Sequence, residues 1–160
     1  MKVSVLFVCL GNICRSSAAE AIFKKIVKDE GLADEIEIDS AGMINAHAGE
    51  GADPRMIERA GKRGYVVDSI ARKFNPRTDF DRFDYILAMD DTIENDLQRL
   101  THTSGDSSKI YRMTDFSSSS KYSGVPDPYY GGTSGFEMVL DILEDTCEGL
   151  LSHIKKDDIL

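Results

Sequence analysis

The chain contains no tryptophan, four prolines and three cysteines in 160 residues. Three thiols, Cys9, Cys14 and Cys147, cannot build a disulfide framework, so a reducing compartment, the cytoplasm, is expected. No apolar run approaches the roughly 18 residues of a membrane-spanning helix, and no membrane partner is expected. Basic residues are in deficit, with 19 Lys and Arg against 28 Asp and Glu, a formal net charge of -9. Domains that grip nucleic acid are ordinarily basic, which disfavours nucleic acid as a partner. Any anionic ligand must be held by local donors against the field of the whole chain. The histidines His47, His102 and His153 are scattered, and no spacing suggests a metal site. No internal repeat is present.

What remains is a globular composition, 41% apolar and 29% charged. The length suits one domain, residues 1–160, with one sizeable core. Val3–Cys9 is a continuous apolar run rich in β-branched residues, the pattern of a strand covered on both faces. Lys2, that run and Ala19-Glu-Ala21 also resemble a short signal peptide. The Gly11-Asn12 break, Arg15 and the charged amphipathic stretch that follows favour the buried strand. Ser17 with Glu20 fits a capping box for a helix to about Lys28, with Ala18, Ile22 and Ile26 on one face. Glu35–Asp39 alternates as a second strand, closed by Ser40-Ala-Gly42. Asp53-Pro54 caps and starts a helix to about Lys62, with Gly64 suited to its end.

Phe83–Met89 reads as a third strand, after which Asp90 caps a helix ending near Leu100. Ile110–Met113 reads as a fourth strand. The Ser-rich stretches Thr101–Ser108 and Ser117–Ser123 read as solvated loops, and Val125–Gly132 as a loop of Pro, Asp, Tyr and Gly. Ser134 and Glu137 suggest a second capping box. The apolar stripe Phe136, Val139, Leu140, Leu143, Cys147, Leu150, Leu151 and Ile154 then predicts a helix almost to the end. Strands alternating with helices imply an α/β fold with a parallel sheet wrapped on both faces.

The segment that carries chemistry is Cys9-Leu-Gly-Asn-Ile-Cys-Arg-Ser16, between a buried strand and a helix start. Open parallel sheets bind ligands at that end of their strands. The unpaired N–H groups of a helix N-terminus make an anion site there. Gly11 and Asn12 tolerate the left-handed conformations that turn successive N–H groups toward one oxyanion. Arg15 adds a planar fork matched to two phosphate oxygens. A thiol beside a helix N-terminus and a cation ionises more readily than a free one. Cys9, at the bottom of this cup, is therefore expected to be a thiolate, with Ser16 donating to its sulfur. A thiolate in line with phosphorus is a nucleophile.

Val8-Cys-Leu-Gly-Asn-Ile-Cys-Arg-Ser16 resembles the signature of low-molecular-weight protein tyrosine phosphatases. Val125-Pro-Asp-Pro-Tyr-Tyr-Gly131 resembles the family loop that bears the general acid. Asp39-Ser-Ala-Gly42, Asp53-Pro-Arg55 and Phe83–Asp90 match further family segments in order, so the resemblance covers nearly the whole chain. It implies a three-layer α/β fold whose four-stranded parallel sheet has the order 2-1-3-4. It implies that Cys9 attacks phosphorus to form a phosphocysteine. Asp127, protonated for that step, gives its proton to the phenolic oxygen and then activates water. Leu10, Gly11, Asn12, Ile13, Cys14, Arg15 and Ser16 would surround the phosphate, with Asn12 and Ser16 holding the loop. Tyr129 and Tyr130 would line the aromatic pocket. Cys14 resembles the family's protective cysteine, able to pair reversibly with Cys9. Arg72 aligns with an arginine of a supporting network. No metal or cofactor is implied, because Arg15 and the loop amides supply the charge stabilisation. The implied partners are phosphotyrosine proteins or peptides and, in vitro, small aryl phosphates, with inorganic phosphate as product.

Three positions, Ser17, Ala46 and Ser69, depart from the pattern. Ser17 replaces the usual proline after Arg-Ser, and Ala46 stands where a bulky aromatic forms the second pocket wall. His47 and Tyr130 are the candidates to replace that ring. Ser69 occupies the place of a network histidine of some eukaryotic relatives, and Ile13 that of a threonine frequent in phosphoarginine-directed relatives. The bulkier apolar Ile13 favours an aryl ester over phosphoarginine. An arsenate reductase would need further cysteines in mid-chain, and none lies between Cys14 and Cys147. A phosphopeptide-binding module without turnover would not need Cys9, Arg15 and Asp127 together.

Overall fold

The structure is a computed structural model and describes residues 2–129 and 131–158. Strand β1 (Val3–Cys9) leads to helix α1 (Arg15–Asp29), and β2 (Ile36–Gly42) to α2 (Pro54–Gly61). The short α3 (Asp79–Arg82) precedes β3 (Tyr85–Ala88), and α4 (Asp91–Arg99) and α5 (Ser104–Ser108) precede β4 (Ile110–Arg112). A 3-10 turn (Met113–Phe116) follows, and after an irregular stretch the 26-residue α6 (Thr133–Asp158) ends the described fold. The strands form one parallel sheet in the order β2-β1-β3-β4, as the resemblance implied.

The continuous apolar run of β1 is explained by its two neighbours. Val3, Val5, Phe7 and Cys9 join one buried cluster with α1 and α6, including Ala18, Ile22, Phe23, Val139, Leu143 and Leu150. Leu6 and Val8 join a second cluster with Phe80 of α3, Phe83, Ile93 and Leu97. Alternate side chains of a strand point to opposite faces, so a strand covered twice is apolar at both parities. Three layers result. Burying each such Leu, Ile, Val or Phe side chain is worth about 1.5–3 kcal/mol. All eight residues of the α6 stripe are buried.

Several ends differ from the expectation. Helix α1 begins at Arg15, so Ser17 lies inside its first turn and donates from Oγ to the Cys14 carbonyl at 3.1 Å. Glu20 does not reach back to a cap, because its carboxylate is taken by Ser40 and Lys24. Helix α6 begins at Thr133, which puts Ser134 inside it, and Glu137 pairs with Arg63 of the segment after α2. Thr101–Ser108 is not wholly loop. The Thr103 Oγ1 accepts from the Asp106 amide at 3.0 Å and starts the exposed turn α5. The other stops hold: Asp53 and Asp90 cap α2 and α4 through Arg55 N and Ile93 N. Gly64 takes a left-handed φ of 88°, and Tyr65 N returns to Ala60 O behind it.

Candidate active site

The loop after β1 sits where β1 ends beside β2. Register pairs Cys9 with Gly42, and Met43 N and Ile44 N bond to Cys9 O and Leu10 O at 3.0 and 3.1 Å. Gly42 is required by that closeness. A Cβ there would meet Leu10 O at 2.8 Å and Asn12 N at 3.0 Å, both backbone atoms. Ile13 O accepts from Asp53 N at 2.9 Å, which ties the loop to the start of α2.

Asn12 is the left-handed residue of the loop, with φ 59°. Gly11 does not share that conformation, contrary to expectation. Its constraint is space, since a Cβ at Gly11 would meet His47 Cδ2 at 3.1 Å. Asn12 is buried, and its amide is fully used. Nδ2 donates to Ser16 Oγ at 2.8 Å and Ser40 Oγ at 2.9 Å, while Oδ1 accepts from Arg72 N at 3.0 Å. Ser40 Oγ donates to Glu20 Oε1 at 2.5 Å, and Lys24 Nζ donates to Glu20 Oε2 at 2.5 Å. The Ser69 hydroxyl is buried and makes no hydrogen bond among the described residues, so it takes no part in this chain. The Arg72 side chain binds Asp79 at 2.9 Å and Asp39 at 3.2 Å, fixing the segment whose amide holds Asn12.

Cys9 Sγ lies 3.0 Å from Ser16 Oγ. Ser16 accepts from Asn12, so its single proton is left for the sulfur. Helix α1 begins at Arg15, and the first N–H groups of a helix have no partner within it. Arg15 is buried; Nη1 donates to Asp90 at 2.6 Å and Val125 O at 3.1 Å, and Nη2 lies 3.7 Å from Asp127 Oδ2. Asp127 Oδ1 accepts from Tyr129 N at 3.0 Å. A cavity of about 230 Å³ is lined by Cys9, Leu10, Gly11, Ile13, Cys14, Arg15, Ile44, Ala46, His47, Asp127 and Tyr129. The sequence-predicted residues that it gathers include Cys9, Arg15 and Asp127. Asn12 and Ser16 stand behind it. Tyr130 lies outside the described residues.

The two loop cysteines sit in different fields. Burial, then the nearby Asp53, pushes the Cys14 thiol up to about 12, so it stays protonated at neutral pH. The Asp53 carboxyl is itself held below the usual range, mainly by its hydrogen bond with Arg55. Ile44, Ala46 and His47 line the cavity with Tyr129, and the His47 ring centre is 6.1 Å from that of Tyr129. Among the described residues, no group of three or more His, Cys, Asp or Glu is placed to hold a metal ion.

Sequence reasoning missed the parts played by five residues. Asp90 appeared only as a helix cap, yet it also grips Arg15. Its place just after β3, at the ligand end of the sheet, was the available signal. Glu20 is four residues from Ser16 on one helix face, which was the signal for its place behind the loop. Ser40 and the Asp53–Arg55 pair had none beyond their motifs.

Residues 4–159 match the family described as low molecular weight phosphotyrosine protein phosphatase. A low molecular weight protein-tyrosine-phosphatase of Streptomyces coelicolor is 42% identical over 158 residues, 98% of this chain and 96% of that protein. A protein tyrosine phosphatase from Entamoeba histolytica, crystallised with Hepes in its active site, superposes with a TM-score of 0.94. It is 45% identical and covers 98% of this chain and 99% of its own. A Drosophila arginine phosphatase superposes with a TM-score of 0.88 at 32% identity, over 97% of this chain and 98% of its own. A fold, a loop and a cavity of this kind, matched along almost the entire chain, have one family in common: the chain belongs to the low molecular weight phosphotyrosine protein phosphatases, which are cysteine-dependent phosphatases.

Proposed function

We propose that this chain acts as one domain that hydrolyses phosphotyrosine monoesters in proteins or peptides through a phosphocysteine. The observation that carries this reading is the single cavity shared by the Cys9 sulfur, the Arg15 guanidinium and the Asp127 carboxyl. The Cys9 thiolate attacks phosphorus. An S–P bond forms as the P–O bond to the aryl group breaks, and Asp127 gives its proton to the departing phenolic oxygen. Water then attacks phosphorus while Asp127 takes back a proton. The S–P bond breaks, inorganic phosphate leaves and the thiolate returns. Arg15 Nη2 and the amides of residues 10–16 face the equatorial oxygens, where charge accumulates. Asp90 fixes the Arg15 fork through Nη1, which leaves Nη2 on the cavity side. Three free cysteines accord with action in a reducing cytoplasm, where Cys9 stays usable.

Purified protein with p-nitrophenyl phosphate tests the nucleophile. Cys9→Ser should lose turnover to background while still binding phosphate; unchanged turnover refutes the assignment. Asp127→Ala should lose about 10²–10⁴-fold with poor leaving groups and far less with good ones.

The arginine phosphatase relative raises phosphoarginine as a second substrate. The Ile13 side chain in the cavity wall, with Tyr129 across it, favours the aryl ester. Competing the two phosphorylated peptides decides it: the phosphotyrosine peptide should be cleaved with the higher kcat/KM.

A further inference from the structure

The segment that carries Asp127 belongs to no helix or strand, so a few bonds must aim its carboxyl. On one side, Val125 N bonds to Met89 O at 2.7 Å and Val125 O accepts from Arg15. On the other side the anchor is Arg55. Its Nε and Nη2 bind the two Asp53 oxygens at 3.0 and 2.8 Å, and Nη2 also donates to Tyr129 O at 3.0 Å. The guanidinium carbon lies 5.6 Å from the Tyr129 ring centre and 4.8 Å from that of Phe136. Tyr129 N in turn holds Asp127 Oδ1.

One planar group therefore joins three parts. Asp53 connects it to the phosphate loop through Ile13 O. Tyr129 connects it to the segment bearing the acid, and Phe136 to the first turns of α6. A lysine has the charge but lacks the fork that serves a carboxylate and a carbonyl together.

We infer that Arg55 is a positioning residue of the phosphoryl-transfer step, setting the distance between Asp127 and the leaving oxygen without touching substrate. The inference rests on the reading of Asp127 as the proton donor. A misplacement near 1 Å at a catalytic group costs on the order of 10²-fold in rate. That loss should fall on the step in which the acid works.

The test measures kcat for aryl phosphates running from p-nitrophenol to phenol as leaving groups. The proteins are wild type, Arg55→Ala, Arg55→Lys, Asp127→Ala and the Arg55→Ala/Asp127→Ala double variant. Vanadate binding and thermal midpoints are recorded beside the rates. Arg55→Ala should lose roughly 10–100-fold with phenyl phosphate and much less with p-nitrophenyl phosphate, with vanadate binding kept. Arg55→Lys should recover only part of the loss, and the double variant should be no slower than Asp127→Ala. Equal losses across all leaving groups, or losses that multiply in the double variant, overturn the inference and leave Asp127 as the acid. A flat leaving-group dependence in Asp127→Ala instead overturns the assignment of the acid, and the inference with it. Where Arg55→Ala does not fold, Arg55→Lys alone decides, by whether its loss grows with leaving-group basicity.

Discussion

Asn12 shows how one side chain sets a loop. Its amide spends both N–H groups and its oxygen on Ser16, Ser40 and Arg72, while its backbone sits in the left-handed region. The two demands separate by mutation. Asn12→Gly loses the bonds but relaxes the backbone; Asn12→Ala loses the bonds and keeps a Cβ at φ 59°. In urea denaturation Asn12→Ala should be less stable than Asn12→Gly by about 1–2 kcal/mol. Both should fall below wild type, because the Arg72 amide loses its acceptor, a loss of about 1–3 kcal/mol. Cys14 gives a second residue-scale outcome. With its thiol pushed up to about 12, iodoacetamide at pH 8 should modify Cys9 and leave Cys14 intact. Phosphate should protect Cys9. Mass mapping of the alkylated peptides reads both.

Among the elements, α6 and the 3-10 turn pack backbone to backbone at Gly149 and Phe116. A Cβ at Gly149 would stand 1.9 Å from Phe116 O, and neither backbone can step aside alone. Gly149→Ala should therefore destabilise by about 3 kcal/mol or more, at the severe end of overpacking. Gly61, the last residue of α2, has nothing within 4 Å and no left-handed φ. Gly61→Ala should raise stability by about 0.4–1 kcal/mol, because it restricts the unfolded chain. Thermal melts of the pair make the comparison within one protein. The elements themselves were largely legible beforehand: the β1 run, the α6 stripe, and the Asp53 and Asp90 caps are local patterns. The start of α1 was not. Ser17 and Glu20 have the spacing of a capping box, but the loop after β1 feeds the helix from Arg15. Glu20 is drawn inward by Ser40, which lies 20 positions away. A cap motif reports what a residue can bond locally, and a better partner from another strand overrides it.

For the whole molecule, pH dependence follows from which groups fold into shifted environments. Arg55 holds the Asp53 carboxyl below its ordinary range, and Arg82 does the same for Glu37. Such carboxylates contribute stability that is complete above their unfolded value near 4 and is lost as pH falls through the lower folded value. Cys14 works the other way. Its contribution is complete below the unfolded thiol value of about 8.5 and is lost as pH rises toward about 12. Thermal midpoints should therefore form a plateau between about pH 5 and 8 and fall on both sides. Arg55→Ala should flatten the acid limb, and Cys14→Ala the onset of the alkaline one, in melts carried below about pH 5 and above about pH 8.

Alternation of strand and helix, the glycine and asparagine of the loop, and the spacing of Cys9 to Arg15 are written in neighbouring residues. They determine the layered sheet and the cup at the carboxyl end of β1, because periodicity and backbone preference act over a few positions. Which acid meets which base is a different matter. Asp90 and Asp127 reach Arg15 across 75 and 112 positions, and Tyr129 reaches Arg55 across 74. Those meetings exist only once β1 and β3 lie side by side and α6 closes over α1. The sequence thus names Cys9, Arg15 and Asp127 as candidates, and packing alone brings them to one cavity.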